Sequence, residues 1–335
     1  MSKVFIIAEA GVNHNGQLKI AKRLVDMAVD CGADAIKFQT FKAHETTGVF
    51  AQKAQYQKDN LPSSENQYEM IKKLELPFNN FDELQEYCNK REIIFISTPD
   101  GIESLNYLVN INVPLIKIGS TEITNPEFLI QIGKTGKPII LSTGMATLGE
   151  VEAALNSIYS TGNSNIQLMH CTTDYPTELE DVNLKAMVTM ADAFKLPIGL
   201  SDHTCSFEAA IAAVSLGAEV IEKHITLDKE MAGPDHKASI EKDEFKKYIK
   251  FIRNTELLLG DGIKKPTERE KIIMKDARRS IVAATDLKKG EVLNKELLTY
   301  KRPGCGIKPE LVYVFEGKVL KRNLLKDEPL QWTDI

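Results

Sequence analysis

Short runs of β-branched and other aliphatic residues recur along residues 1–226, and polar residues or Gly and Pro bound each run. The stretches between the runs place apolar residues three and four positions apart, which is helical spacing. The eight runs are VFIIAEAG, DAIKFQT, EIIFISTP, LIKIGS, PIILSTG, IQLMHCT, PIGLSDH and EVIEKHIT. Eight alternations of strand and helix predict an α/β fold in which residues 1–262 form a closed (β/α)8 barrel of the TIM type.

An open, doubly wound sheet is the main alternative, because it also alternates strand and helix. No GxGxxG loop follows a strand in this chain, and eight units match barrel closure, so the barrel is favoured. The polar stretch 52–77 is predicted as a long, helix-poor loop at the end of the barrel where catalytic residues gather.

The last part of the chain has a different pattern. Residues 263–279 are charged and are predicted to be a linker. Residues 280–335 contain short apolar runs separated by KKG, RPG and EGK turns, which indicates a small β-rich domain. A domain of that size is only marginally stable alone, so we expect it to pack on a barrel.

Composition excludes several classes of partner. The formal net charge is −5 and the sequence contains no basic block, which argues against nucleic acid or an anionic membrane as the main partner. The five cysteines form no CxxC pair, so we expect free thiols and a reducing compartment. No apolar run approaches the roughly 20 residues that span a bilayer, and we expect a cytoplasmic protein.

Two histidines, His203 and His224, stand at the ends of the last two predicted strands. Neighbouring strands place them side by side, and closure of the barrel brings Glu9 of the first strand alongside. Two imidazoles leave coordination positions for water or substrate, which suits Mn²⁺, Mg²⁺ or Co²⁺ better than a closed zinc site. The alternative on spacing alone is two hydrogen-bonded histidines that bind no metal.

Two lysines, Lys37 and Lys117, lie at equivalent strand positions between apolar residues, where an unpaired ammonium is costly to bury. They indicate a bound anion, although a single lysine in such a place more often extends outward or pairs with a structural acid. Hydroxyl groups at other strand ends would complete a site for a phosphate and a carboxylate. These hydroxyls belong to Thr98, Ser120, Ser142 and Ser201.

Other polar residues carry weaker signals. Asp235, on the last barrel loop, is suited either to bind a sugar hydroxyl or to cap a turn. His44 and His236 are predicted to be surface residues, and His170 to be a hydrogen-bonded core residue.

Ten motifs, in order along the chain, resemble those of the N-acetylneuraminate (sialic acid) synthases and their relatives, the legionaminic and pseudaminic acid synthases. The tail is similar to the antifreeze-like (SAF) domain of that family. The motifs are EAGVNHNG, KFQT, FISTP, KIGSTE, ILSTGM, HCTTDYP, GLSDH, EKHITLD, GPDHKAS and KRPGCGI.

The resemblance implies a synthase that condenses phosphoenolpyruvate with the open-chain aldehyde of an N-acylated mannosamine-type sugar and releases phosphate. It implies a divalent metal, foremost Mn²⁺, bound by His203 and His224, with Glu9 as acid/base and Lys117 as a further catalytic residue. The implied phosphoenolpyruvate-binding residues are Lys37, Thr98, Lys117, Ser120, Ser142, Thr173 and Ser201. The implied sugar-binding residues are Glu122, Tyr175, Asp235 and Arg302.

The resemblance also implies a domain-swapped homodimer, in which Arg302 of one chain reaches the N-acyl group in the other. Two residues depart from commoner family forms: Thr173 replaces an Asn beside the phosphate, and Asp100 replaces the Phe after STP. GPDH followed by KAS looks closer to the sialic and legionaminic branches than to the pseudaminic branch.

The first expectation for the sugar is N-acetylmannosamine, which gives N-acetylneuraminate, and the alternative is 2,4-diacetamido-2,4,6-trideoxymannose, which gives legionaminic acid; the sequence does not decide between them. Two other classes of function are alternatives. A metal-dependent aldolase or hydrolase would use the same two histidines and carboxylate. A glycan- or ice-binding tail on an inert barrel is disfavoured, since an inert barrel has no need of buried lysines.

Overall fold

Eight parallel strands close into a barrel in the first of two units into which the chain divides, Met1–Asp261 and Gly262–Ile335. This computed structural model describes residues 3–60 and 64–335. The first strand pairs with both the second and the eighth, so the predicted barrel is confirmed. The strands are β1 (Phe5–Gly11), β2 (Ala35–Phe41), β3 (Ile94–Asp100), β4 (Ile116–Ile118), β5 (Ile139–Ser142), β6 (Ile166–His170), β7 (Ile198–Asp202) and β8 (Val220–His224).

Helices follow the strands, and most of them pack their apolar faces on the outside of the barrel, whereas Leu74 of the fourth helix packs in a separate small cluster with Val12 and Phe41. They are α1 (Leu18–Cys31), α2 (Ala43–Thr46), α3 (Gln55–Asn60), α4 (Gln67–Leu74), α5 (Phe78–Lys90), α6 (Ile102–Asn110), α7 (Pro126–Lys134), α8 (Leu148–Tyr159), α9 (Leu184–Phe194), α10 (Glu208–Ser215) and α11 (Lys242–Leu259).

The stretch 52–77 is not helix-poor, so that prediction was wrong: it contains α3 and α4. The side chain of Asn66 accepts a hydrogen bond from the backbone N–H of Glu69, and the Glu69 carboxylate accepts one from the backbone N–H of Asn66. Such a capping box stabilises a short helix whose periodicity alone is too brief to read from the sequence.

The barrel interior is apolar at one level and polar two residues further along each strand. Six buried apolar side chains form an inner cluster, and successive side chains of a strand alternate between the two faces of the sheet. The residue two positions after each member therefore also faces inward, at the carboxyl end of its strand. The cluster consists of Ile7, Ala35, Ile96, Ile140, Met169 and Val220, so the next inward residues include Glu9, Lys37, Thr98, Ser142 and Glu222.

The second unit has its own core. Helix α12 (Glu268–Ala277) precedes a two-stranded antiparallel sheet of β9 (Ser280–Ala283) and β10 (Leu298–Lys301). Buried side chains such as Ile281, Phe315 and Leu330 form the core. The predicted linker 263–279 thus contains a helix and lies within this unit.

Two further predictions concern thiols and membranes. All five cysteines are free, as predicted. In the described parts of the chain, no helix is both long enough and apolar enough to cross a membrane.

A fully buried ion pair joins the outer faces of β7 and β8. Lys223 Nζ lies 3.1 Å from Asp202 Oδ2, and both side chains are inaccessible to solvent. The hydroxyl of Tyr248, on α11, donates to the same carboxylate oxygen at 2.8 Å. The other oxygen of Asp202 accepts from the backbone N–H and the hydroxyl of Thr204, and Lys223 donates to the Thr204 carbonyl. The network therefore fixes the two strands and α11 to one another.

Removing one partner of this pair should destabilise the barrel strongly. We expect Lys223→Met to lower the free energy of unfolding by about 3 kcal/mol or more, because Asp202 is left as a buried, unpaired charge. Urea unfolding of the purified chain measures this. The control is Lys90→Met, which removes an exposed i,i+4 pair with Glu86 and should change stability by about 0.5 kcal/mol or less. Equal losses in the two variants would contradict the prediction.

Candidate active site

Barrel closure sets the positions of the central residues. In the strand register, Glu9 of β1 lies opposite His224 of β8 on one side and opposite Lys37 of β2 on the other. All three face inward, in agreement with the two-residue alternation of the strands. The sequence-based expectation that closure brings Glu9 alongside the histidines therefore agrees with the backbone.

The two predicted metal-binding histidines lie next to each other. The ring centroids of His203 and His224 are 5.4 Å apart, and the Tyr175 ring lies 4.2 Å from His203 and 5.7 Å from His224. His203 Nδ1 donates to the Thr172 carbonyl at 2.7 Å, which leaves Nε2 with a lone pair. Burial lowers the pKa of His203 to about 4 and that of His224 well below its usual value, so both rings are neutral near pH 7.

Two neutral imidazoles at this spacing fit a divalent ion, although His203 Nε2 lies 3.3 Å from Ser201 Oγ. His224 Nδ1 is buried and has no hydrogen-bond partner among the described residues. Nowhere in residues 3–60 and 64–335 do three or more His, Cys, Asp or Glu side chains form a group that could hold an ion. With only two histidines as ligands, the protein would supply two nitrogens to the ion and leave its other coordination positions to water or substrate, which suits Mn²⁺, Mg²⁺ or Co²⁺.

The two predicted anion-binding lysines share a carboxylate. Lys37 Nζ lies 2.8 Å from Glu9 Oε1 and 3.7 Å from Glu222 Oε1, and Lys117 Nζ lies 3.6 Å from the same Glu222 oxygen. Ser201 donates to Glu222 at 3.1 Å. Sequence reasoning missed Glu222, although it precedes His224 by two residues on β8 and must face the same way.

The two central carboxyl groups differ in their titration. Burial raises the pKa of Glu9, an effect that Lys37 opposes and the nearby charge of Glu222 reinforces. Burial also disfavours the charged form of Glu222, but Lys117 and Lys37 outweigh it and lower its pKa. Acid/base roles are commonly divided in this way, with one carboxyl able to exchange a proton while its neighbour stays ionised.

The two lysines differ too. Burial opposes the charge of Lys37, yet Glu222 and Glu9 raise its pKa above the usual value. Burial lowers the pKa of Lys117, which has a weaker set of acidic neighbours. An added anion near Lys117 would raise its pKa and stabilise its charged form, which suits an anionic ligand.

Hydroxyl groups surround the lysines. Lys117 donates to Ser142 Oγ at 2.7 Å, and Lys37 donates to Thr98 Oγ1 at 3.3 Å. Ser120 Oγ accepts from the backbone N–H of Gly144 at 3.0 Å. Each of these hydroxyl oxygens accepts a hydrogen bond and keeps its own hydrogen to donate, so the hydroxyls and ammonium groups around one concave surface can together donate to a phosphate or carboxylate group.

Gly144 keeps that surface open. A Cβ at this position would lie 2.2 Å from Thr173 Oγ1 and 2.8 Å from Ser120 Oγ, so no side chain fits there. Thr173 Oγ1 is buried and has no hydrogen-bond partner among the described residues, and it is therefore available to a ligand.

Nearly all the predicted site residues line one cavity of about 430 Å³, together with Glu222 and Gln39. Asp235 lines an adjoining cavity of about 150 Å³ that shares Gln39, Tyr175 and His224 with the first. Arg302 belongs to the second unit, where it is exposed. The predicted residues in the main cavity are Glu9, Lys37, Thr98, Lys117, Ser120, Glu122, Ser142, Thr173, Tyr175, Ser201, His203 and His224.

The remaining histidine predictions gave mixed results. His170 is buried and its Nε2 contacts the Val182 carbonyl at 2.7 Å, and His44 is exposed, as predicted. The prediction of His236 as a surface residue was wrong. Its ring is fully buried, with Nδ1 2.7 Å from Thr226 Oγ1 and Nε2 3.2 Å from Asn15 Oδ1. These contacts tie the loop after β8 to the loop after β1.

The fold and the cavity define a (β/α)8 barrel with a polar cavity, containing two buried lysines, at the carboxyl ends of its strands. Comparison with known proteins gives the family. The profile of the NeuB family matches residues 24–264 and that of the SAF domain matches residues 278–335. The chain belongs to the NeuB family, and the predicted family and tail domain are confirmed.

Three relatives extend the comparison. The chain is 48% identical over 330 residues to the N,N'-diacetyllegionaminic acid synthase of Campylobacter jejuni, covering 98% of this chain and 99% of the relative. It is 46% identical over 335 residues to the enzyme of the same name from Legionella pneumophila, covering 99% and 94%. The crystal structure of the N-acetylneuraminic acid synthetase of Leptospira borgpetersenii in complex with citrate superposes with a TM-score of 0.71 at 34% identity, covering 82% and 90%.

Proposed function

We propose that this enzyme condenses phosphoenolpyruvate with 2,4-diacetamido-2,4,6-trideoxymannose to give N,N'-diacetyllegionaminic acid and phosphate. The main supporting observation is the single cavity in which two buried lysines and several hydroxyls face two neutral imidazoles. The choice of sugar rests on the relatives, because identity to the two legionaminic acid synthases is 48% and 46%, against 34% for the sialic acid synthetase. N-Acetylmannosamine is the alternative substrate.

Phosphoenolpyruvate would bind to the positive part of the cavity. Lys37 and Lys117 meet its charges, while Thr98, Ser120 and Ser142 donate hydrogen bonds to its oxygens. The free hydroxyl of Thr173 provides one more donor. Glu222 stays ionised between the lysines and keeps both ammonium groups directed at the ligand.

The divalent ion, foremost Mn²⁺, would be held by His203 and His224. When bound, it supplies a Lewis acid that stabilises negative charge on the sugar oxygen. The Thr172 carbonyl orients the His203 ring, and Tyr175 packs against both rings. Such supporting contacts hold the ligand nitrogens toward the cavity.

Glu9 would move the proton of the attacking water. The methylene carbon of phosphoenolpyruvate bonds to the sugar aldehyde carbon, whose oxygen takes a proton and becomes a hydroxyl. Water adds to the neighbouring carbon and loses one proton. The bond from that carbon to the bridging oxygen then breaks, phosphate leaves with this oxygen, and the remaining hydroxyl gives up its proton to form the ketone. One Glu9 oxygen contacts Lys37 and the other is buried without a partner among the described residues. That second oxygen and the raised pKa suit proton transfer to or from water.

The function is tested by release of inorganic phosphate. Purified enzyme with Mn²⁺ should release phosphate only when phosphoenolpyruvate and the diacetamido sugar are both present, and more slowly with N-acetylmannosamine. Reactions without either substrate are the controls. Sugar cleavage or condensation that does not require phosphoenolpyruvate would identify an aldolase and overturn the proposal.

We further propose a cytoplasmic homodimer in which Arg302 of one chain serves the barrel of the other. Arg302→Ala should raise the KM for the sugar about tenfold or more, because a charge-assisted hydrogen bond is lost, and leave the KM for phosphoenolpyruvate unchanged. Lys301→Ala, which removes an exposed neighbour paired with Asp327, is the matched control.

Mixed dimers test the exchange of domains. At a sugar concentration far below the wild-type KM, where Arg302→Ala chains alone are about tenfold less active or worse, an equal mixture with Glu9→Gln chains should show about a quarter of the wild-type activity, since random pairing makes half the dimers mixed and each mixed dimer has one complete site. No recovery after mixing would show that the arginine acts within its own chain.

A further inference from the structure

Asp100 is an inward-facing carboxyl that the proposed mechanism leaves without a role. It follows Ile96 and Thr98 at two-residue intervals on β3, and it lines the main cavity. Within residues 3–60 and 64–335, no hydrogen bond or ion pair reaches its carboxyl group, although its backbone carbonyl accepts from Thr46. A carboxyl at the wall of a substrate cavity without a protein partner is available to the substrate.

A second cavity of about 570 Å³ lies beside the main one. We call it the side cavity; Thr46, Asp100 and Glu122 line both cavities, whereas Asn106 of α6 and Phe128 of α7 line the side cavity but not the main one. Since Glu122 is one of the proposed sugar-binding residues, the side cavity adjoins the proposed sugar site. A substituent on the sugar that points past Asp100 would enter it.

The acceptors around the side cavity are only partly used. Glu122 accepts from Asn125 Nδ2 at 2.8 Å, and one Glu45 oxygen accepts from the backbone N–H of Glu103 at 2.9 Å. The other Glu45 oxygen is buried and has no partner among the described residues. Two independent acceptors, on Asp100 and Glu45, thus await a donor.

The chemistry of the walls selects the kind of substituent. Four carboxyl groups line the side cavity, so an anionic group such as a phosphate would be repelled. Burial, and then the charge of Glu122, raises the pKa of Asp100 to about 7, so this residue can accept a hydrogen bond and, when protonated, donate one. An acylamino group offers an N–H donor, a carbonyl acceptor and a methyl group suited to Ile102 and Phe128.

We propose that the side cavity is the subsite for the acylamino group at C4 of the sugar and that Asp100 is the residue that selects sugars bearing it. This inference rests on the proposed function. A C4 hydroxyl can turn toward water when Asp100 is removed, whereas an enclosed amide N–H cannot, so the two kinds of sugar should respond differently.

The test compares two sugars that differ only at C4: 2,4-diacetamido-2,4,6-trideoxymannose and 2-acetamido-2,6-dideoxymannose. Asp100→Leu should lower kcat/KM for the diacetamido sugar about tenfold more than for the C4-hydroxy sugar. Asp100→Asn keeps a hydrogen-bonding side chain, so it should lose less of the preference for the diacetamido sugar than Asp100→Leu does. The KM for phosphoenolpyruvate should stay the same in all variants.

A second variant tests the volume of the side cavity without touching a carboxyl. Asn106 is exposed on α6, so Asn106→Trp should fold normally, fill the cavity and lower kcat/KM for the diacetamido sugar about tenfold or more. The C4-hydroxy sugar should be affected about twofold or less. Asn110→Trp, on the same helix but outside the cavity lining, is the matched control.

The outcomes separate the two proposals. If wild-type enzyme releases phosphate with the diacetamido sugar but both variants lower kcat/KM equally for the two sugars, the proposed subsite is wrong and the proposed function stands. If wild-type enzyme releases no phosphate with either sugar, the proposed function fails and the subsite fails with it.

Discussion

Glu9→Gln should lower kcat for phosphate release about 100-fold or more while leaving the affinity for phosphoenolpyruvate nearly unchanged. The amide can still accept a hydrogen bond from Lys37, but it cannot take or give the proton of the attacking water. Lys37 and Lys117 keep Glu222 as their counter-charge, so the anion-binding part of the cavity persists. Steady-state kinetics, with a direct titration of phosphoenolpyruvate binding, measures both quantities.

The pH dependence gives a second readout for this variant. Because the pKa of Glu9 is raised, its titration should appear as a limb in the pH profile of kcat, and that limb should vanish in Glu9→Gln. Glu219→Gln is the control, since Glu219 is an exposed carboxyl next to the start of β8. A Glu9→Gln enzyme with wild-type kcat would remove Glu9 from the mechanism.

The barrel was predictable because its signal is local and repeated. Each strand is a short apolar run with defined ends, and each helix has the spacing that buries one face. Glu9, Lys37 and His224 could be placed together because parallel strands end at the same rim and closure joins β1 to β8. Their distances could not be predicted, since these depend on how far each side chain reaches across the cavity.

Glu222 shows what alternation adds to motif reading. The EKH motif drew attention to His224, but the pleat of β8 requires the residue two positions earlier to face the same cavity. The same rule sends Lys223 to the other face, where it meets Asp202 rather than a substrate. Applying this alternation to β8 from His224 predicts that Glu222 faces the cavity and that Lys223 faces outward.

The prediction that His236 is a surface residue was wrong for a different reason. Its neighbours in the sequence are polar, and the residues that bury it, Asn15 and Thr226, belong to other segments. The prediction of a helix-poor loop at 52–77 was wrong because the capping box that stabilises α4 follows a polar segment without clear periodicity. Contacts between loops and short capped helices depend on the assembled fold, which local pattern reading does not include.

Removing the metal-binding histidines should have the other large effect. His203→Ala and His224→Ala should each lower kcat about 100-fold or more, because loss of the ion removes several kcal/mol of charge stabilisation at the sugar oxygen. The double variant should be little worse than either single variant, since two residues that act as one ligand pair are not additive. Wild-type enzyme treated with a chelator should match the double variant and recover when Mn²⁺ is added.

Metal binding must be measured separately from activity. The electron paramagnetic resonance signal of free Mn²⁺ should fall when wild-type enzyme is added and stay unchanged with the double variant, whereas His44→Ala, at an exposed histidine, should behave as wild type. Full activity of wild-type enzyme in chelator would contradict the metal role. If the loss of kcat in the double variant equals the product of the two single losses, the imidazoles act independently instead. Neutral rings 5.4 Å apart, one with an unpartnered nitrogen among the described residues, are arranged to act together.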